Sequence, residues 1–384
     1  MKILIVKTFP LEVNTLTYNC QEVGLAVALR KAGHECDIMC VADNGRYHEK
    51  YAESEGRKVK VYCLKSFNVK DNAWFMGAED ILSRYDILQA GEYNEIFTWH
   101  LAGKYPEKTV VYHGPYYSPY MWKYNRMTKI FDKFFLGRYK RLNTTFITKS
   151  RLAEQYLRDK GLENVHTIGV GTSCMQSTDA GETALCRRIK AADGVKLLYV
   201  GIIDGRRNVL FLLDVLAEVL KRGTAATLVL VGKFGNEQYE EAFGRAMEEK
   251  GLGGNIIHEA VVTQSDLPQV YEACDIFLFP TRYDIYGMVL LEAMSRGMPV
   301  VSTLCGGSQM LIESGANGYI ADGDDAGMWA DIALRLSDNP AEVEAIGRRA
   351  AATIRERFAW EALCPQFIST YEAAQLHHIR KTSL

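Results

Sequence analysis

FPTRYDIYGMVLLEAMSRGMPVVST, residues 279–303, reads as a strand end, a polar loop, a helix and a second strand. The apolar run closes at Pro280. Arg282, Tyr283 and Asp284 make a short polar turn, and Tyr286 and Gly287 lead into a helix opening near Met288. Glu292 lies about one turn into that helix, and Pro299 begins another buried strand. The order puts Asp284 at a strand's carboxyl end. It leaves the first helical amides, at Gly287, Met288 and Val289, without intrahelical acceptors. A helix start of this kind is an anion site. An acid before it, an acid within it and amides between suit a sugar nucleotide. Asp284 would meet sugar hydroxyls, the amides the diphosphate, and Glu292 the ribose diol.

The same alternation runs outward from this block. Strand-like runs at 196–201, 227–232, 255–258, 275–280, 299–302 and 318–321 alternate with helical patterns at 210–221, 237–250, 265–273, 290–296 and 340–357. The first half repeats the scheme, with runs at 3–6, 36–42, 59–64, 86–89, 109–112 and 145–148, a seventh at 165–170, and helices at 22–32, 94–104 and 151–160. Apolar strands separated by helices predict parallel sheets covered on both faces. At 384 residues the chain is long enough for two such domains. The polar, turn-rich stretch 172–192 is the expected linker. The expectation is an α/β protein of two doubly wound, Rossmann-like domains, 1–175 and 176–359, facing across a cleft. A last helix, 360–376, is expected to pack back onto the first domain, with a frayed tail from His377. Ligands of open α/β sheets bind at strand carboxyl ends, so the cleft is the expected active site.

Composition removes other classes. The net charge of −2, with 48% hydrophobic residues, excludes nucleic-acid binding through global basicity and an acidic disordered chain. No run approaches the ~20 apolar residues of a membrane span. The opening MKILIVK is too short for a signal-peptide core. The nine cysteines are scattered without metal-ligand spacing and read as reduced thiols of a cytoplasmic protein. Thr8-Phe9-Pro10 follows the first strand where a dinucleotide fingerprint needs glycine, and Gly169-Val170-Gly171 runs on to Cys174 with no helix behind it. A phosphate loop ending Gly-Lys-Ser/Thr is absent as well. Asp322, Asp324 and Asp325 precede a helical pattern and read as caps, so no metal is expected; arginine and helix amides supply the positive charge.

Asp284 and Glu292, seven residues between them, resemble the Glu-x7-Glu motif of retaining GT-B glycosyltransferases of family 4, the group 1 type. The resemblance extends over most of the second half: Leu197 to Gly201, Arg206-Arg207-Asn208, Leu230-Val231-Gly232, and Asp266-Leu267-Pro268 through Asp275. It is looser in the first half, at Gly33-His34-Glu35, Tyr112-His113-Gly114 and Ile168 to Gly171. The resemblance implies a hexosyltransferase that moves a sugar from a UDP- or GDP-sugar to an acceptor hydroxyl with retention, in cell-surface polysaccharide or glycoconjugate synthesis. It requires no cofactor and no metal. It assigns catalysis to His113, Arg207 and Asp284. Donor binding falls to Arg206, Lys233, Val261, Val262, Tyr286, Gly287, Met288, Val289 and Glu292. The acceptor side falls to Asn14, Thr15 and Tyr116. Three departures stand out. Asp284 replaces the family's first glutamate, Ile202 replaces an arginine after the strand-end glycine, and Asn14-Thr15-Leu16-Thr17 replaces a glycine pair. An epimerase or phosphorylase of the same fold, and a silent sugar-nucleotide-binding protein, are the competing readings.

Residues 123–141 carry seven basic residues against Asp132 alone. Met127, Ile130, Phe131, Phe134 and Phe135 recur there at helical spacing, with Tyr116, Tyr117, Tyr120, Trp122 and Tyr124 alongside. Two readings stand: a domain helix with a wet basic side, or a basic apolar face for a lipid-linked acceptor or the inner leaflet of a membrane.

Overall fold

The first strand, β1 (Lys2–Val6), lies at the middle of a sheet because four of its five residues are buried and it pairs in parallel on both sides. The computed structural model describes residues 1–13, 20–54, 56–69, 72–173 and 181–382. In chain order β1 is followed by β2 (Glu35–Val41), β3 (His48–Ser54), β4 (Arg57–Leu64), β5 (Ser66–Val69), β6 (Asn72–Phe75), β7 (Ile87–Ala90), β8 (Thr109–His113), β9 (Thr145–Thr148) and β10 (Val165–Thr167). Eight of these form one sheet in the order β10-β9-β8-β7-β1-β2-β4-β3. All its pairings are parallel except β3 on β4. β5 and β6 make a separate two-stranded sheet. The sequence reading missed β3, β5 and β6. β3 reads HEKYAES, a charged edge strand with little apolar patterning, as sheet edges commonly are.

The later residues build a second parallel sheet from β11 (Val195–Val200), β12 (Ala226–Val231), β13 (Ile256–Glu259), β14 (Ile276–Phe279), β15 (Val300–Ser302) and β16 (Tyr319–Ile320), ordered β13-β12-β11-β14-β15-β16. The chain divides into two units, Met1–Ser173 with Phe358–Leu384, and Cys174–Arg357. Each is a doubly wound α/β sheet. In each, the strand order reverses beside the first strand: at β7-β1-β2 in unit 1 and at β12-β11-β14 in unit 2. Such reversals leave a crevice at the strands' carboxyl ends.

Two local expectations change. The stretch read as linker contains a helix, Ala184–Ala191, capped by Thr183 and buried through Leu185, Cys186 and Ile189. Its short amphipathic pattern is diluted by polar neighbours. The tail read as frayed from His377 is helical, within Trp360–Thr382; residues 383 and 384 lie outside the described residues.

That last helix belongs to unit 1. Trp360 is buried, and glycines make room for it. A Cβ on Gly24 would fall 2.1 Å from the indole Nε1, and one on Gly171 2.5 Å from the indole ring. Tyr371 donates to Gln89 Oε1 on β7, and Lys31 pairs with Glu361 at 2.6 Å. Alanine at an open helical glycine ordinarily adds about 1 kcal/mol. Here the clash wins: Gly24→Ala is expected to lower the stability of unit 1 by about 1–3 kcal/mol in denaturant unfolding. A stabilised variant would contradict this packing.

Candidate active site

Two loops meet at the reversal in unit 2, one after β11 and one after β14. The loop after β11 leaves through Gly201, and its neighbour β12 ends at Gly232. A Cβ on Gly232 would sit 1.9 Å from the Gly201 carbonyl oxygen, so the two backbones approach as only glycine allows. The chain then turns through Asp204, whose Oδ1 accepts from the Arg207 N–H at 2.8 Å. Asn208 holds a left-handed φ of 56°, and its side chain donates to the Gly323 carbonyl at 3.1 Å. This turn aims Arg206 and Arg207 at the second loop. The Arg282 N–H donates to the Arg206 carbonyl at 3.0 Å, and Arg206 Nη1 donates to the Tyr283 carbonyl at 3.2 Å.

Asp284 is buried at the centre of this junction, 7% exposed. Its Oδ1 accepts from the Tyr286 N–H at 2.9 Å, and its Oδ2 forms an ion pair with Arg207 Nη1. The guanidinium also lies over the Phe279 ring, 5.5 Å from its centroid. Burial draws the Arg207 pKa below its ordinary value. Its buried Nε has no hydrogen-bond acceptor among the described residues. The helix Met288–Ser295 starts three residues beyond Ile285, after Gly287 at φ 77°. Its first amides, at Met288 and Val289, have no acceptor within the helix. A guanidinium with a spare donor beside a helix N-terminus can hold an anionic group.

Glu292 projects from the same helix but is 3% exposed, and its Oε2 accepts from the Tyr271 hydroxyl at 3.0 Å. Burial, then the Glu292 carboxylate, pushes the Tyr271 pKa well up. The remaining candidates are more scattered. Tyr286 is buried. Lys233 is exposed, and its carbonyl accepts from the Ile203 N–H at 2.9 Å. Val261 is exposed and Val262 half-buried in the loop after β13. Ile202 is also exposed, with its carbonyl accepting from the Tyr199 hydroxyl at 2.7 Å. Asp325 caps the helix Ala326–Asp338 by accepting from the Met328 N–H.

Unit 1 gathers a second polar cluster at the ends of β7 and β8. His113, the last residue of β8, is fully buried, with Nδ1 2.7 Å from Glu92 Oε2. Its Nε2 has no hydrogen-bond partner among the described residues. Glu92 also accepts from the Gly114 N–H at 2.8 Å and faces Lys149 Nζ at 3.4 Å. Burial would raise the Glu92 pKa, but Lys149, His113 and the Gly114 amide outweigh it and bring it to about 2. Glu95, three residues on across a turn that precedes the helix Ile96–Lys104, is pushed the other way, by burial and then by the Glu92 charge. Sequence reasoning found His113 but not Glu92, Glu95 or Lys149. The signal available was position, since Glu92 and Glu95 follow β7 at the reversal of the sheet. Tyr116 is buried nearby in sequence, and Asn14 and Thr15 lie outside the described residues.

The fold is shared with known proteins. HepE from Anabaena, solved with UDP-glucose, superposes with a TM-score of 0.75 at 18% identity, covering 97% of this chain and 100% of that one. Sucrose-phosphate synthase from Thermosynechococcus elongatus gives 0.73 at 18%, covering 97% and 99%. Together with the two doubly wound sheets, these matches define the class as a GT-B glycosyltransferase fold. The model for Glycosyltransferase Family 4 matches residues 23–174, and that for Glycosyl transferases group 1 matches residues 194–339. The chain belongs to this group 1, family 4 type of glycosyltransferase. It is 30% identical to the D-inositol 3-phosphate glycosyltransferase of Corynebacterium efficiens over 179 residues, 46% of this chain and 42% of that protein. The enzyme of the same name from Segniliparus rotundus is 26% identical over 232 residues, 60% of this chain and 51% of that protein. The chain thus spans about half, or less, of the length of the curated relatives it matches.

Glu95 yields a pH prediction. An unfolded glutamate ionises near 4.5, while folded Glu95 keeps its proton to higher pH. Stability therefore falls as pH rises above 4.5, because the unfolded state then binds fewer protons. Glu95→Gln replaces the acid by a neutral side chain without that linkage. It should raise stability at pH 7, with the gain shrinking toward pH 4 in paired urea titrations. A pH-independent difference would place the Glu95 charge elsewhere.

Proposed function

We propose that the protein is a retaining glycosyltransferase that moves a hexose from a UDP- or GDP-sugar to an acceptor hydroxyl in polysaccharide or glycoconjugate synthesis. The observation that carries the reading is the buried contact of Arg207 with Asp284 beside the N-terminus of the helix Met288–Ser295. A diphosphate leaving group gains charge as the glycosidic bond breaks. Stabilising that charge is usually the largest part of such catalysis. Arg206, Arg207 and the Gly287, Met288 and Val289 amides supply the positive field on this reading, with no metal in the donor pocket. Asp284 is the resting counter-ion of Arg207. When a diphosphate engages the guanidinium, an Asp284 oxygen becomes available to sugar hydroxyls. Glu292 takes the ribose diol, Tyr286 and Lys233 flank the phosphates, and Val261 and Val262 lie by the base. His113, oriented by Glu92, works beside the reacting sugar, with Asn14, Thr15 and Tyr116 toward the acceptor. The departing phosphate accepts the proton of the attacking hydroxyl, so no carboxylate nucleophile is required. The naming of UDP-glucose in the HepE structure, and of glycosyl transfer in the curated relatives, supports this donor chemistry.

Arg207→Ala would strip Asp284 of its buried counter-charge, a change that costs ~3–5 kcal/mol in comparable pairs and confounds activity with folding. Arg207→Lys keeps the charge but loses the planar fork. With UDP- and GDP-sugars and a broad acceptor panel, Arg207→Lys should cut turnover by roughly 10²-fold, the scale of one lost transition-state donor, at nearly unchanged Tm. Unchanged turnover would remove Arg207 from the mechanism. Sugar-nucleotide binding with no turnover in wild type would favour the silent binding protein, and product without acceptor an epimerase.

We also place the protein in the cytoplasm with a peripheral membrane contact. On the helix Trp122–Leu142 the face toward the protein buries Phe131, Leu136 and Tyr139. Trp122, Met127, Ile130 and Phe134 are each more than half exposed, among exposed Lys123, Arg126, Lys129 and Lys133. No helix among the described residues is long and apolar enough to cross a membrane. Basic and apolar groups on one exposed face suit an anionic bilayer or a lipid-linked acceptor. Wild type should pellet with vesicles containing acidic lipid and not with neutral ones, and Ile130→Ser with Phe134→Ser should abolish pelleting. Equal pelleting on both vesicles would exclude this face.

A further inference from the structure

Four side chains from four segments of unit 1 meet at the carboxyl edge of its sheet. Cys40 on β2 pairs with Cys63 on β4, and Cys63 pairs with His48 on β3. Residues paired across neighbouring strands share a face, so the three form one row. Glu12, beyond β1, joins them. Its N–H donates to Asp43 Oδ1 at 3.3 Å, and the Asp43 N–H donates back to Glu12 Oε2 at 2.9 Å. Ligand atoms of Glu12, His48 and Cys63 all lie within 4.8 Å of one another. Cys40 Sγ is 3.8 Å from Cys63 Sγ. Zinc–sulfur bonds of ~2.3 Å in a tetrahedron put two sulfurs about 3.8 Å apart. A disulfide would need ~2 Å.

The histidine is also held in place. His48 Nδ1 is 3.1 Å from the Arg46 carbonyl oxygen, and its Nε2 is 3.3 Å from Glu12 Oε1. A carbonyl fixing the distal nitrogen is also how ligating histidines are oriented.

We propose that Glu12, His48 and Cys63 bind a structural zinc ion, with the Cys40 thiol, 3.8 Å from that of Cys63, turning in as the fourth ligand. Two sulfurs and an imidazole select zinc over magnesium or calcium. Two thiolates and a carboxylate carry three negative charges. The divalent ion and Lys50, whose Nζ lies 2.5 Å from Glu12 Oε1, neutralise them. On uptake both thiols lose their protons to solvent. With Cys40 drawn in, the protein fills all four positions, so the site is closed and its role is to clamp rather than to catalyse. It ties the segment beyond β1, where Lys50 also holds the Val13 carbonyl at 2.7 Å, to three strands of the sheet. That segment leads to Asn14 and Thr15. A consequence for the acceptor side rests on the proposed transferase reading, whereas the metal site itself does not. The sequence carries no spacing signal because each ligand comes from a different segment.

The test uses the full chain, reduced, stripped with chelator, and titrated with Zn(II) against a chromophoric chelator and separately with Co(II). Wild type should take up one equivalent. Its cobalt form should show thiolate charge-transfer bands in the near ultraviolet and the intense visible bands of a tetrahedral centre. Cys63→Ser should lose the charge-transfer intensity. His48→Ala, at a half-buried edge position, should weaken affinity at least ~10-fold, the lower bound even for an outer-shell loss. Glu12→Gln should weaken it as well, and these two decide the matter should Cys63→Ser fail to fold. Cys274→Ser should bind as wild type. The proposal is overturned by reduced wild type that takes up no zinc, or by uptake unchanged in both His48→Ala and Cys63→Ser. A Cys40–Cys63 disulfide whose reduction restores no zinc binding overturns it too. None of these readouts involves sugar transfer, so its failure and that of the transferase reading are separable.

Discussion

The contact between Arg207 and Asp284 holds together two loops that nothing in the sequence joins. One follows β11 and the other β14, and the two strands are neighbours only because the sheet reverses direction between them. A buried guanidinium alone is costly, and so is a buried carboxylate; paired, they tolerate the interior. The pair therefore fixes the loop geometry in the resting protein. It also keeps a cation beside the start of the helix Met288–Ser295, ready for an anion that offers more than one carboxylate does. Loop position, helix start and charge all follow from this single placement.

The second unit was largely legible. Its strands are apolar through and through, so β11, β12 and β14 announce themselves, and the Asp284-to-Glu292 block fixes a strand, a turn and a helix in one stretch. What stayed hidden depends on three-dimensional partners. Glu292 reads as a ribose ligand from sequence, but its partner Tyr271, which donates to one of its oxygens, is revealed by no local pattern. The charged edge strand β3 and the hairpin of β5 and β6 lack the apolar runs by which a strand is read, and so escaped notice. His113 was visible through its neighbours in sequence, whereas Glu92 and Lys149 reach it from separate segments.

Unit 1 concentrates unusual polar chemistry at the carboxyl ends of its strands. Glu92 is held ionised, while Glu95, three residues on across a turn, is pushed toward its protonated form, first by burial and then by the Glu92 charge. A few strands away, Glu12 is also held ionised: burial opposes this, and Lys50, the Asp43 amide and His48 overcome it, bringing its pKa to about 2. Both clusters sit where an open α/β sheet leaves backbone ends and side chains to converge. The glycines at 24 and 171, and the tryptophan they admit, secure the same sheet from the side of the last helix.

The central claim is that the loops after β11 and β14 converge on one diphosphate. Amide hydrogen exchange with and without a nucleoside diphosphate reads this directly, amide by amide. The account predicts new protection confined chiefly to residues 204–208 and 286–290, including the Gly287, Met288 and Val289 N–H groups. Protection that appears elsewhere while these amides exchange unchanged would contradict it.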